Sequence, residues 1–331
     1  MKKNLEDDDG FLSIVGADHR SKRSVNCAAK FQVIPNHSAC LSRAAEVSKS
    51  GVSGPDKTAI VDKHNVYRAG VSPTAVEMAK MYWDAEIAMI AQRYADACKG
   101  LVHDGGRQRG IPGRFSLGQN LAVADMDLTW EAVVKLWYDE VKNFILNGTN
   151  SLTAVGHYTQ VVSANSVLIG CGFALCGTTR NYVCNYGPAG NMDYNNPYIS
   201  GPSCNNCGNK CSGNLCDCSG KVCENGGILD SNTCTCTCKM ASSTYIGDTC
   251  QLNCTKHTDN PLVCGKQVFP RHCDLFTNVP EDCPTMCNVC PCAGIENNGT
   301  TTCLGTQSSQ SRAESGAVIL FLTIKIFLIA C

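Results

Sequence analysis

Apolar residues recur at helical spacing in the first part of the chain and alternate as in paired strands further on. After Asp56, the run KTAIVDKHNVYRAGV has the mixed pattern of an amphipathic helix, with Asp56 as its expected N-cap. Ser72, Pro73 and Thr74 read as a second helix start. Trp83, Ile87, Ile90, Tyr94 and Cys98 stand 4, 3, 4 and 4 residues apart, which puts them on one helical face pointing at a core. Behind Asp127, Leu128 and Thr129, the residues Trp130, Val133, Trp137, Val141 and Phe144 recur at 3, 4, 4 and 3. Residues 167–175 and 181–186 are rich in β-branched and aromatic side chains, and CGTTRN lies at 176–181, a hairpin signal. Centring the turn between Gly177 and Thr178 sets Cys171 opposite Cys184, close enough for a disulfide. His157 comes just ahead of this hairpin, where a rigid sheet is expected to aim it. Helices first and a hairpin last, over residues 56–202, predict one α+β domain with its own core. Residues 1–55 are polar and read as irregular, with Cys27 and Cys40 placed to close a small loop.

Composition changes the picture beyond residue 202. The chain has 331 residues and 25 Cys, with six Cys up to Cys184, eighteen from Cys204 to Cys303, and Cys331 at the end. Such density fits an oxidising compartment and small domains with little core. Zinc clusters are disfavoured, because the Cys-rich half holds only His257 and His272 and does not repeat paired Cys at finger spacing. A net charge of −1 gives no global field for nucleic acid or an anionic membrane, so contact with a membrane is expected only through the C-terminal tail. An exported chain should begin with a signal peptide, yet MKKNLEDDDG is acidic and lacks an apolar core, so the expectation is an incomplete or wrongly started N-terminus. Arg20, Ser21, Lys22 and Arg23 form a basic cluster that reads either as a processing site or as an exposed loop. A polar linker at 291–316 precedes the apolar tail AVILFLTIKIFLIAC at 317–331. That tail spans only about 22 Å as a helix, short of a bilayer core. Behind a polar, small-residue spacer it reads as a GPI-anchor signal with Ser308 or Ser309 as attachment residue, although Lys325 interrupts it. Its loss would remove Cys331 and leave an even number of Cys. Sequons stand at Asn36, Asn147, Asn253 and Asn298; Asn147, in a polar loop, is the best of them, and Asn253, beside Cys254, the poorest.

GHYTQVV at 156–162 and YVCNYGPAGNM at 182–192 resemble the two signature motifs of the CAP superfamily, which includes cysteine-rich secretory proteins, insect venom antigen 5 and plant pathogenesis-related proteins of class 1. The resemblance covers residues 56–201 and implies a three-layer α-β-α sandwich followed by small disulfide-rich modules. It implies the pair Cys98–Cys176 beside Cys171–Cys184. The family's third pair is absent on both sides, since Leu117 and Gly187 stand in its places. Residues 203–217 resemble the hinge of cysteine-rich secretory proteins, which implies Cys204–Cys211 and Cys207–Cys216. Residues 218–250, with CENGG and YIGDTC, resemble an EGF-like module whose pairing stays open. Residues 254–290 resemble an ShK-type module, which implies Cys254–Cys290, Cys264–Cys283 and Cys273–Cys287. Toxins of that type use a Lys–Tyr dyad, but DLFTNVPED between Cys273 and Cys283 has neither residue, so a spacer or adhesive role is expected there.

The resemblance also implies a cleft lined by two His and two acidic residues. Carried over, these are His103, Gln119 in GQNL, Glu140 in WYDEV and His157; the family usually has Glu where this chain has Gln119. Two neutral imidazoles suit a divalent metal, with Zn²⁺ the candidate cofactor. Gln119 removes one charge and one base, which lowers the expected metal affinity and argues against water activation. Glu140 follows Trp137 by one helical turn and is expected at the edge of the core face. Without the resemblance, the two His would read as hydrogen-bonded structural groups. The expectation is an extracellular, non-enzymatic protein that binds a protein or cell-surface partner. The alternatives are a lipid or sterol carrier using apolar segments around residues 78–90, and a metal-dependent hydrolase using His103, His157 and Glu140.

Overall fold

The computed structural model describes residues 27–239, 244–273, 275–276, 278–290 and 292–294. The basic cluster at 20–23, Asn298, Cys303, Ser308, Ser309 and the tail at 317–331 lie outside the described residues.

The irregular segment expected over 1–55 ends earlier than that. Helix α1 (Ala29–Gln32) buries Phe31, the Cys27–Cys40 disulfide closes the loop around it, and strand β1 (Val47–Ser50) joins the main sheet. With Val47 its only buried residue, β1 has no alternation for a sequence pattern to detect. Helix α2 (Gly54–Ala69) starts two residues before the expected cap. Ser53 caps it: its Oγ accepts from Asp56 N at 3.2 Å and donates to the Asp56 carboxylate at 2.6 Å. Pro55 is tolerated because the first turn has no intrahelical acceptor for an N–H there. No helix starts at Ser72. The chain instead runs through strand β2 (Tyr82–Trp83) to α3 (Ala85–Asp96), where Asp84 Oδ1 accepts from Glu86 N and Ile87 N. Of the five residues read as one helical face, Ile87, Ile90 and Tyr94 are buried on α3, Trp83 belongs to β2, and Cys98 lies past the helix end. After α4 (Gly106–Arg109) and β3 (Gly118–Ala124), helix α5 (Trp130–Tyr138) is capped by Thr129 and tightens at Asp139 into a 3₁₀ turn. Helix α6 (Leu152–Val161) was not expected, and it carries His157, which a helix rather than a strand therefore aims. Its Gly, Val and Thr residues have poor helix propensity, so burial of Val155, Tyr158 and Val161 decides the conformation.

Strands β4 (Leu168–Cys176) and β5 (Thr179–Gly187) form the hairpin in the expected register, with Cys171 opposite Cys184 and bonded to it. The sheet runs β1-β4-β5-β3, and β2 adds in parallel beside β4. Ile169, Cys171, Phe173, Tyr182 and Tyr186 on one face pack on Ile60 of α2, Val133 and Trp137 of α5, and Val161 of α6. Leu121, Ala174 and Val183 on the other face pack on Ala91, Tyr94 and Ala95 of α3. This is a three-layer α-β-α sandwich. The close approach of α3 requires glycine in β4. A Cβ on Gly170 would lie 2.1 Å from Ala88 N, and one on Gly172 would lie 2.4 Å from Gln92 Cα.

The disulfide-rich half rests against this sandwich. Residues 204–217 form a ribbon of β6 (Cys211–Ser212) and β7 (Leu215–Cys216), closed by Cys204–Cys211 and Cys207–Cys216. Leu215 enters the main core, and Cys216 N donates to Met78 O at 2.7 Å. Beyond it, Cys218–Cys234, Cys223–Cys236 and Cys238–Cys250 settle the pairing left open by the sequence. Cys254–Cys290, Cys264–Cys283 and Cys273–Cys287 close the last segment. No helix among the described residues is long and apolar enough to cross a membrane.

Three buried basic side chains make predictions. The fully buried Arg68 guanidinium donates to five carbonyls, those of Ala79, Val161, Ser163, Ala164 and Ser166, at 2.7–3.2 Å. Lysine has three donors in a different geometry. Arg68→Lys should therefore cost on the order of 3 kcal/mol or more, read as a lower urea midpoint, because carbonyls are left unpaired. An unchanged midpoint would show that these bonds contribute nothing net. Burial lowers the pKa of His37 and of His64 from 6.5 to about 4. The unfolded chain then binds more protons between those values, so stability falls as pH drops from about 6.5 to about 4, by roughly 3 kcal/mol per ring. His64→Asn should show a shallower loss between pH 7 and pH 4.5 in urea unfolding; an unchanged slope would locate the sensitivity elsewhere.

Candidate functional site

The four carried-over residues form two separate pairs, each tied to β3. In the first, His103 projects from the exposed loop between α3 and α4, and its Nδ1 lies 2.7 Å from Gln119 Oε1. Gln119 is 8% exposed, and its Nε2 donates to Asn185 Oδ1 on β5 at 3.2 Å. In the second, His157 Nδ1 donates to Glu140 Oε1 at 2.6 Å. The other carboxylate oxygen, Oε2, accepts from His157 N at 2.8 Å and Tyr158 N at 3.1 Å. Glu140 does not continue α5; it lies in the 3₁₀ turn, which swings its carboxylate toward α6.

Successive residues of β3 hold the two histidines. Gln119 holds the His103 ring, and Asn120 Nδ2 donates to the His157 carbonyl at 3.0 Å. Neighbouring strand residues point to opposite faces, so the histidines reach the edge from opposite sides. Asn120 also donates to Tyr186 Oη at 3.3 Å, and Tyr186 lies 3.0 Å from His64 Nε2. His64 Nδ1 in turn bonds to Ile60 O at 2.8 Å. A buried polar chain thus runs from α2 through β5 and β3 to the backbone of His157. Burial keeps the His64 ring neutral and raises the Tyr186 pKa, so this chain stays uncharged. Asn120, Asn185 and His64 were not singled out from the sequence. GQN and CNY did signal two polar side chains inside apolar strands, each of which needs a partner when buried.

The donor set limits the chemistry. Each histidine has Nδ1 engaged, which leaves Nε2 as the ring atom facing outward. Both Glu140 oxygens accept hydrogen bonds from His157 or Tyr158, and Gln119 is neutral. The carboxylate is thus placed to orient His157, and Gln119 contributes no charge. Among the described residues, one group of three metal-type donors converges, Cys204, Cys207 and Cys216, and disulfides already occupy it. In the apolar segment around 78–90, Met78, Met81, Ile87 and Ile90 are buried in the core. Asn147 is exposed in a turn with Thr149. Asn36 is exposed too, but the Ser38 hydroxyl of its sequon is buried and bonded to Asp104. Asn253 is buried.

A family model described as "Cysteine-rich secretory protein family" (CAP) matches residues 61–186. The chain is 35% identical over 297 residues to the cysteine-rich venom protein of Conus textile, covering 85% of this chain and 95% of that one. It is 36% identical over 274 residues to the cysteine-rich venom protein Mr30 of Conus marmoreus, covering 80% and 91%. Among solved structures, that of NaASP2 with Zn²⁺ aligns with a TM-score of 0.45 at 30% identity, over 50% of this chain and 97% of that one. Motifs, architecture and relatives agree: the chain belongs to the cysteine-rich secretory protein (CAP) family.

Proposed function

We propose that this chain is an extracellular, non-catalytic binding protein whose partner is another protein or a cell surface. The observation that carries the reading is the engagement of Glu140 with His157 beside a neutral Gln119. Its two oxygens hold the His157 ring and two main-chain N–H groups, which supports an orienting role for the one carboxylate in the cleft rather than that of a base for water. This disfavours the hydrolase alternative, and the neutral Gln119 gives a divalent cation one anionic ligand fewer. The disulfide density supports export to an oxidising compartment. Both Conus relatives are named as venom proteins, which supports a venom-like or defensive role. The pairing of first to third, second to fourth and fifth to sixth Cys at 218–250 supports an EGF-like module. The crosslinks at 254–290 support an ShK-like one. Small modules in series suit recognition rather than turnover. N-glycosylation is proposed at Asn147 first, with Asn36 and Asn298 secondary.

Calorimetric titration with Zn²⁺ tests the cleft. The full chain should bind weakly or not at all, and Gln119→Glu should gain about 10–100-fold in affinity by restoring a carboxylate beside His103. Tight binding by the unaltered chain, abolished in His103→Ala, would sink the non-metal reading and reopen a hydrolase. A second proposal is that the tail at 317–331 directs a GPI anchor. A cell-surface form should then be released by a phosphatidylinositol-specific phospholipase, and retention after treatment counts against the anchor.

A further inference from the structure

Asn185 is fully buried, and its Nδ2 has no hydrogen-bond partner. It accepts from Gln119 Nε2, while Gln119 Oε1 faces His103 Nδ1. With the carboxamides set this way, the relay runs from His103 Nδ1–H to Gln119 to Asn185 and ends on an orphaned amine with two unsatisfied protons. Turning both carboxamides by 180° leaves every heavy atom in place and reverses every donor. Asn185 Nδ2 then donates to Gln119 Oε1, Gln119 Nε2 donates to His103 Nδ1, and the relay ends on a carbonyl oxygen. Buried orphan N–H groups are rarer than under-satisfied carbonyls, so the reversed relay is the lower in energy.

We propose that Gln119 and Asn185 fix His103 as its Nε2–H tautomer, so that at this end the cleft presents a hydrogen-bond donor to an acceptor-bearing ligand instead of a lone pair to a metal. A carboxylate at 119 accepts only, and it would force the opposite tautomer, with Nδ1–H inward and the Nε2 lone pair outward. His157 has that second arrangement, because Glu140 accepts from its Nδ1. The two rings thus differ in kind: His103 donates and His157 accepts. At His103 a divalent cation finds no outward lone pair, whereas a hydroxyl, carbonyl or carboxylate oxygen matches the Nε2–H donor. Gln119 and Asn185 act through His103 as positioning residues for ligand specificity.

This deepens the binding reading above, and rests on it only for the class of ligand; the tautomer is measured independently. The experiment is a long-range ¹H–¹⁵N correlation spectrum of the full ¹⁵N-labelled chain at about pH 8, where ordinary histidines are neutral. Loss of one ring's signals in His103→Gln assigns the residue. The unaltered chain should show His103 protonated at Nε2 in roughly tenfold excess. Both Gln119→Glu and Asn185→Asp should reverse that preference, the latter without touching the ring, because an acid at 185 accepts only and turns the Gln119 amide round. Gln119→Glu is nearly isosteric and stands alone if Asn185→Asp does not fold. Nδ1–H in the unaltered chain overturns the proposal, as does Nε2–H retained in Gln119→Glu. Tight Zn²⁺ binding by the unaltered chain with His103 still Nε2–H in the metal-free state would sink the binding reading and the ligand class drawn from it, but leave the tautomer assignment standing.

Discussion

A buried guanidinium held by main-chain carbonyls lies at the centre of this fold. Arg68 is fully buried, and its bonds go to five carbonyls, with no carboxylate bonded to it among the described residues. Burial lowers its pKa to about 9, which leaves it charged at neutral pH. The arrangement is stable because five carbonyls replace the hydration the cation loses. Those carbonyls belong to the C-terminal end of α6, the turn into β4 and the crossing ahead of β2. The end of α6 carries the negative pole of its dipole, so the cation is favoured there twice over. Arg68 therefore fixes where α6 stops and where β4 begins. Everything at the β3 edge depends on that junction.

The site inherits its geometry from it. His157 is held at three points: its ring and its main-chain N–H by Glu140, and its carbonyl by Asn120. Asn120 is itself tied through Tyr186 to His64, one helical turn before Arg68 on α2. A shift of α6 would break this chain at several bonds together, so His157 is rigidly placed. His103 is different. It stands on an exposed loop, and its one described bond is to Gln119. The departure from the family's usual Glu thus falls on the histidine with the fewest other restraints, where the neighbour's chemistry has the most influence on what the ring presents.

What the sequence revealed follows from where local patterns agree with tertiary packing. The hairpin's register was legible to the residue, because strand composition, the turn at Gly177 and Thr178 and two opposed Cys all point to one pairing, although the strand ends shift by one or two residues. The buried faces of α3 and α5 were legible because Ile87, Ile90, Tyr94, Trp130, Val133 and Trp137 have no other way to be covered. The start of α2 was misjudged because Gly54 and Pro55 look like breakers, yet the first turn is where a helix tolerates them. α6 was missed because tertiary burial overrides its propensity, and β1 because an edge strand with one buried residue has no periodicity. The site residues came from motif resemblance; their hydrogen-bond partners did not, because partners such as Asn120 with His157 lie 37 residues apart in the chain.

The disulfide-rich half has a different physical basis, and it explains why that half does not hang free. Its segments bury only a small core, in which Tyr245, Leu252, Val279 and Val289 pack among disulfides, so crosslinks that limit the unfolded chain supply much of the stability. Crosslinks do not, however, orient one segment against the next. That is done by contacts with the sandwich. Arg114 bonds to Glu86 at 2.9 Å on α3 and to Glu224 at 3.0 Å beyond the ribbon. Asn225 Nδ2 bridges Gly113 O and Cys250 O, and Arg107 Nη2 donates to Cys287 O. On the sandwich side, Arg107, Gly113 and Arg114 make these contacts, in addition to the bond of Cys216 N to Met78 O and the entry of Leu215 into the main core. The orientation of the Cys-rich half therefore rests on hydrogen bonds, ion pairs and packing against the sandwich, while its crosslinks hold each segment together.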